Sequence, residues 1–201
     1  TTGKLSKGTL YSGWADKPDQ VLEEVEQQKP KILIITSRND HNFINELFGT
    51  DETKTAEEAD CPVLVVPKDA EYKNLKSIYY LLDRDKPMSE VIEEIRYLSE
   101  LAKPVNGHIL LAYHSDNQSD LAKKEMAIKK SSIINAVNYD NIGAALVEDF
   151  DAVETSDMLT TSEVVSLFAF PKREKSFWER LTDHDNTKHI ILKAEIPVLV
   201  F

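Results

Sequence analysis

Residues Ile196–Phe201, IPVLVF, nearly duplicate residues Cys61–Val66, CPVLVV, and this constrains the chain more than any other feature. Ile196 lies 135 positions after Cys61, far too long a period for a solenoid repeat and about the size of one small domain. The passages leading into the two copies also match in order. KILIITSRNDHNFINELFGTDETKTAEEAD precedes the first and VVSLFAFPKREKSFWERLTDHDNTKHIILKAE the second. Each runs from an apolar strand through a polar turn and an amphipathic stretch to the Pro-Val-Leu-Val strand. Buried strands share Val/Leu composition by convergence, but convergence does not reproduce the flanking order, so two homologous units are expected.

The second unit reads as alternating strands and helices. SIYYLLD (77–83), GHILLAYH (Gly107–His114), NIGAALVE (Asn141–Glu148), VVSLFAF (Val164–Phe170) and the closing IPVLVF are strand-like. A helix opens at Pro87 and runs to about Lys103, its apolar face being Val91, Ile95, Leu98 and Ala102. Glu90, Glu93 and Glu94 near its start and Lys103 near its end suit the helix dipole. Further helices are expected at about Asp120–Val137 and Phe177–Lys193, with a short helical piece near Asp151–Thr160. Near-continuous apolar strands alternating with helices predict an α/β fold with a mainly parallel sheet covered on both faces.

The same template laid on the first half matches only strands three to five: GTLYSGW, the helix DKPDQVLEEVEQQK, KILIIT, a second helix and CPVLVV. Residues 1–67 are therefore expected to form the later part of a first unit, 68–75 a polar linker, and 76–201 a complete second unit. On this reading a full first unit would begin roughly 60 residues ahead of Thr1.

Charge narrows the partners. Thirty-five acidic against 24 basic residues give a formal net charge of −11, a field that repels phosphate backbones and anionic lipid. Nucleic acid and membrane surfaces are not expected partners. No apolar run approaches the roughly 20 residues that cross a bilayer, and TTGKLSKG is not a signal-peptide core, so a cytoplasmic location is expected. Cys61, the sole cysteine, is expected to be a small buried thiol within its strand.

A first strand ending in Asp83, a turn-and-helix segment after the fourth strand, and CPVLVVP following Gly49-Thr50 by eleven to twelve residues together resemble the universal stress protein family in a tandem arrangement. The resemblance covers residues 76–201 and the later part of a domain in residues 1–67. It implies a doubly wound five-stranded sheet, flavodoxin-like or of the adenine nucleotide α-hydrolase type, present as one complete and one partial repeat. It also implies that the last strand lies at an edge where family members pair, as a homodimer or between tandem domains. Val63, Val65, Val198 and Val200 would then be interface residues, and each apolar edge would cover the other.

ATP-binding members carry Gly, two residues, Gly, nine residues, then Gly with Ser or Thr. Glycines let backbone N–H groups approach phosphates at a helix start, and the hydroxyl adds a hydrogen bond. Here Gly49-Thr50 is retained, but Thr36 and Asn39 occupy the earlier glycine positions. In the second unit Pro171, Glu174, His184 and Asp185 stand at the four positions. A carboxylate such as Glu174 or Asp185 about 4–5 Å from a phosphate would oppose binding by about 3–4 kcal/mol per charge pair at an effective dielectric near 20, a hundredfold or more in affinity. Asp83 matches the aspartate that lies near adenine in ATP-binding members, although Asp at a strand end also simply begins turns.

The leading expectation is thus a non-catalytic stress-response module with degenerate ATP loops and no cofactor, acting by association or partner binding. The alternative is ATP binding or Mg²⁺-dependent hydrolysis in an altered crevice around Asp83, Asp85, Glu174 and Asp185, since Mg²⁺ favours carboxylate oxygens. DHDN (Asp183–Asn186) places neighbouring side chains in different directions on a helix, and His41, His108, His114 and His189 have no metal-ligand spacing. KREKSFWERL, with Phe177 and Trp178 among basic residues, reads as an amphipathic helix start or a docking surface, and Trp14 as the end of a strand.

Overall fold

In a computed structural model of the chain, the described residues are 12, 18–36, 55, 58–67, 70, 74–82, 86–114, 119–147, 165–171 and 196–201. They form α1 (Pro18–Gln28), β1 (Leu33–Thr36), β2 (Val63–Val66), β3 (Ser77–Leu82), α2 (Met88–Ala102) with a 3-10 turn at Lys103–Val105, β4 (His108–His114), α3 (Asp120–Val137), β5 (Ile142–Val147), β6 (Leu167–Phe170) and β7 (Val198–Val200). Trp14, the linker except Ala70, Asn74 and Leu75, and the stretches expected as helices at 151–160 and 177–193 lie outside the described residues.

All six residues of β3 are buried, because the strand is central and contributes to a core on each face. Tyr79 and Leu81 join one apolar cluster, with α1 and alternate residues of β2, β6 and β7. Ile78, Tyr80 and Leu82 join the other, with α2 and α3. This two-sided burial is the physical reason the strand shows no polar alternation.

The seven strands form one sheet in the order β1-β2-β7-β6-β3-β4-β5. All neighbouring pairs are parallel except β2 and β7, which run antiparallel. Within β3–β7 the order is 3-2-1-4-5, that of doubly wound nucleotide-binding sheets rather than the 2-1-3-4-5 of flavodoxin. The five-stranded sheet continues into β2 and β1 across the antiparallel junction.

Local chemistry sets the connections. Ser119 caps α3, its side chain accepting from the Ala122 N–H at 3.2 Å, and Asn138 ends the helix in the left-handed region. Before β4 the backbone passes so close to Leu75 that a Cβ on Gly107 would sit 2.2 Å from the Leu75 carbonyl oxygen. At the entry to the sheet, Ser166 Oγ accepts from the Ser77 N–H at 3.2 Å and donates to the Ser77 carbonyl at 2.8 Å, tying β6 to β3.

Two expectations are corrected. Cys61 is half-buried rather than enclosed, since it precedes the paired part of β2. Glu94 does not serve the helix dipole from the surface: it is 7% exposed and turned inward among Val91, Ile95 and Leu98.

Candidate functional site

The chain leaves β3 to build β4 and β5 on one side, then returns to place β6 on the other. A crevice opens at such a reversal, over the C-terminal ends of the strands. The ends concerned are Leu82 of β3 and Phe170 of β6, followed by Pro171, and all three are buried. Beneath them lies an aromatic layer. Tyr79 meets Phe168 edge-on at 5.4 Å between ring centroids, and Phe168 stacks on Phe170 at 6.2 Å. Burial pushes the Tyr79 phenol far above its ordinary pKa. On the opposite face of the sheet, Tyr113 of β4, which pairs with Leu82, donates to Glu125 at 3.2 Å and carries the Lys129 ammonium 5.0 Å above its ring.

A polar cluster lies between β3 and α2. The Lys86 ammonium and the Tyr80 hydroxyl both donate to the Glu94 carboxylate, and the Lys86 and Glu94 side chains are only 8% and 9% exposed. Glu90 stands 3.9 Å from the same ammonium on the solvent side. Burial raises the Glu94 pKa, while the bonds from Lys86 and Tyr80 pull it back down. Tyr80 is raised by burial and then by the facing carboxylate. The Lys86 charge, three residues beyond Asp83, is therefore engaged by protein carboxylates. Neither Tyr80 nor Lys86 was singled out from sequence. A signal existed for Glu94, which falls between Val91 and Leu98 at spacings of three and four, within the helix's own apolar stripe.

Of the positions compared with the phosphate loop, Thr36 and Pro171 lie among the described residues. Thr36 ends β1 and is exposed. Because β1 runs with β2, β2 runs against β7, and β7 runs with β6, β1 and β6 point in opposite directions. Thr36 therefore lies at the opposite end of the sheet from Pro171. Asp83, Asp85, Asn39, Gly49, Thr50, Glu174, His184 and Asp185 lie outside the described residues, as do Phe177 and Trp178. Among the described residues no group of three or more His, Cys, Asp or Glu could hold a metal ion, and no helix is long and apolar enough to cross a membrane.

Val63, Val65, Val198 and Val200 meet at the junction of β2 and β7, all buried. Val63 pairs with Val200, Leu64 with Leu199 and Val65 with Val198. Shifting each partner by the 135-residue period returns the same pairs, so the junction has the register of a two-fold contact centred on Leu64 and Leu199.

No protein-family model matches the chain, and no curated protein matches it. Solved structures do. A universal stress protein from Archaeoglobus fulgidus DSM 4304 superposes with a TM-score of 0.60 at 12% identity, over 91% of this chain and 64% of that one. A protein designated a universal stress protein from Pseudomonas aeruginosa UCBPP-PA14 gives 0.62 at 12% identity, over 94% and 69%. The cytoplasmic domain of a prokaryotic cation chloride cotransporter gives 0.58 at 12% identity, over 95% and 72%. The chain thus has the fold of universal stress proteins, and it spans about two thirds of the length of the first two.

Proposed function

We propose that the chain is a non-catalytic, universal-stress-protein-like module that has lost the ATP site and acts through association of its two units and through a bound partner. The β2–β7 seam carries this reading. Its two-fold register is what an isologous dimer contact would have, here formed within one chain between the two repeated strands. Such a seam removes two apolar sheet edges from water and leaves the rest of the surface for recognition.

The chemistry of the crevices supports the loss of ATP. Glycine and small-hydroxyl positions hold Pro171, Glu174, His184 and Asp185 in the second unit, and only Gly49-Thr50 remains in the first. Lys86 is engaged by Glu94 and Glu90 and offers no cation for a phosphate. With a net charge of −11, an acidic nucleic-acid or lipid partner is disfavoured and a protein partner in the cytoplasm fits better. The cotransporter domain gives a precedent for the fold inside a larger assembly.

Calorimetric titration with ATP, with and without Mg²⁺ at low salt, tests this reading. No heat up to millimolar ATP is the expected result. Micromolar binding would overturn it, and a requirement for Mg²⁺ would then point to the carboxylates around Asp83.

A further inference from the structure

We infer that α3 of one copy of this chain docks in the acidic groove beside α1 of a second copy, through the exposed stripe of Leu121 and Ile128 and the lysines around it. The contact is distinct from the β2–β7 seam and does not depend on whether a nucleotide binds. α3 turns Ala122, Ile133 and Val137 inward. Leu121 and Ile128, two turns apart on its outer side, are 71% and 67% exposed. Lys124 stands between them, three positions after Leu121 and four before Ile128, and it and Lys123 are exposed. A single exposed apolar side chain is ordinary, but two on one helical face with an ammonium between them form a continuous amphipathic stripe. Of the three described helices only α3 is net positive, with Lys123, Lys124, Lys129 and Lys130 against Asp120 and Glu125.

At the other edge of the sheet, a groove of about 380 Å³ lies between α1 and the segment that enters β2. Leu22, Val25 and Ala59 give it an apolar lining, and Val25 and Ala59 belong to the core beneath. Asp19, Glu23 and Glu26 rim it from α1 at spacings of four and three, and Glu58 and Asp60 rim it from the facing segment. All five carboxylates are exposed. Among the described residues no basic side chain lines the groove. An apolar floor within a carboxylate rim is the complement of an apolar stripe among ammonium groups.

The two surfaces cannot meet within one chain. α1 packs with Leu33, Ile35, Val63 and Val65 on one face of the sheet, at its β1–β2 edge. α3 packs with Ile109, Leu111 and Ile142 on the other face, at the β4–β5 edge. β2 and β5 stand five strand positions apart, about 24 Å on strand spacing alone. The contact therefore joins unlike surfaces of two copies, and each copy keeps one groove and one stripe with which to extend it. Copies of net charge −11 repel at a distance. Bringing the positive helix against the carboxylate rim gains charge attraction together with apolar burial, which sets the orientation and makes the contact weak and salt-dependent. An anionic lipid surface presents a similar charge to the stripe, but the net charge of the chain opposes that approach.

Sedimentation equilibrium of the chain tests this with two variants at exposed positions. Leu121→Gln with Ile128→Gln removes the stripe and keeps the groove, and Glu23→Lys with Glu26→Lys does the reverse. The parent is expected to associate beyond a dimer as its concentration rises, and to do so roughly tenfold more weakly in about 500 mM than in about 50 mM NaCl. Each variant alone should stay monomeric. An equimolar mixture of the two should form a dimer and stop there, since one intact groove meets one intact stripe, and this recovery also shows both variants to be folded. Absence of association by the parent up to about 1 mM would overturn the proposal, as would association that persists in either variant. A mixture that stays monomeric while the parent associates would overturn it too, because stripe and groove are then not partners. Sedimentation of the parent with phosphatidylserine vesicles, lost on Leu121→Gln with Ile128→Gln and unaccompanied by self-association, would assign the stripe to a lipid surface instead.

Discussion

Glu94 shows how one side chain departs from a correct helical pattern. Its place in the stripe of Val91, Ile95 and Leu98 carries it inward, where Lys86 and Tyr80 satisfy it. A buried pair loses hydration on both ions, so removing one partner costs more than removing both. Lys86→Met is expected to destabilise the fold by about 3 kcal/mol in urea unfolding, while Lys86→Met with Glu94→Leu and Tyr80→Phe should lie close to the parent. The pH dependence has a definite sign. A carboxyl whose folded-state pKa is raised holds its proton more tightly folded than unfolded, so its contribution is greatest below the unfolded value and declines as pH rises through the folded one. The defect of Lys86→Met should accordingly be larger at pH 8 than at pH 5. Equal stability of the single and triple variants at both pH values would show that the cluster contributes nothing.

At the scale of elements, periodicity was a reliable guide wherever one element buried one face. The expected apolar face of α2 is fully buried, and α3 spans Asp120–Val137, the range expected of it. β6 is shorter than the apolar run that predicts it, beginning at Leu167 just after Ser166, whose side chain and N–H both donate to the Ser77 carbonyl. The β2–β7 seam is the element contact on which the proposed function depends. Val198→Lys places an ammonium at a buried position opposite Val65, and roughly 3 kcal/mol of seam stability should be lost. Hydrogen exchange is expected to accelerate at Val63–Val66 while Tyr79 and Leu110 stay protected in the β3–β4 pair. Unchanged exchange across β2 would mean that the seam does not hold the halves together.

For the whole molecule, the cluster containing Val25, Val63, Val65, Val198, Val200, Phe168 and Tyr79 runs through both halves. A core shared across the seam couples their stabilities, so urea unfolding followed by circular dichroism and by tyrosine fluorescence should give one coincident transition. Two separated transitions would indicate halves that fold independently. The sequence by itself determined the alternation of strands and helices and the 135-residue repeat of the Pro-Val-Leu-Val strand. These are patterns within a segment, or between segments compared with each other. Only the tertiary structure decided that the repeated strands meet antiparallel, and hence that Thr36 and Pro171 lie at opposite ends of one sheet. It also decided that Glu94 is enclosed while Ile34 is exposed. Burial of a residue depends on which distant segments pack over it, and residue spacing along the chain carries no record of that.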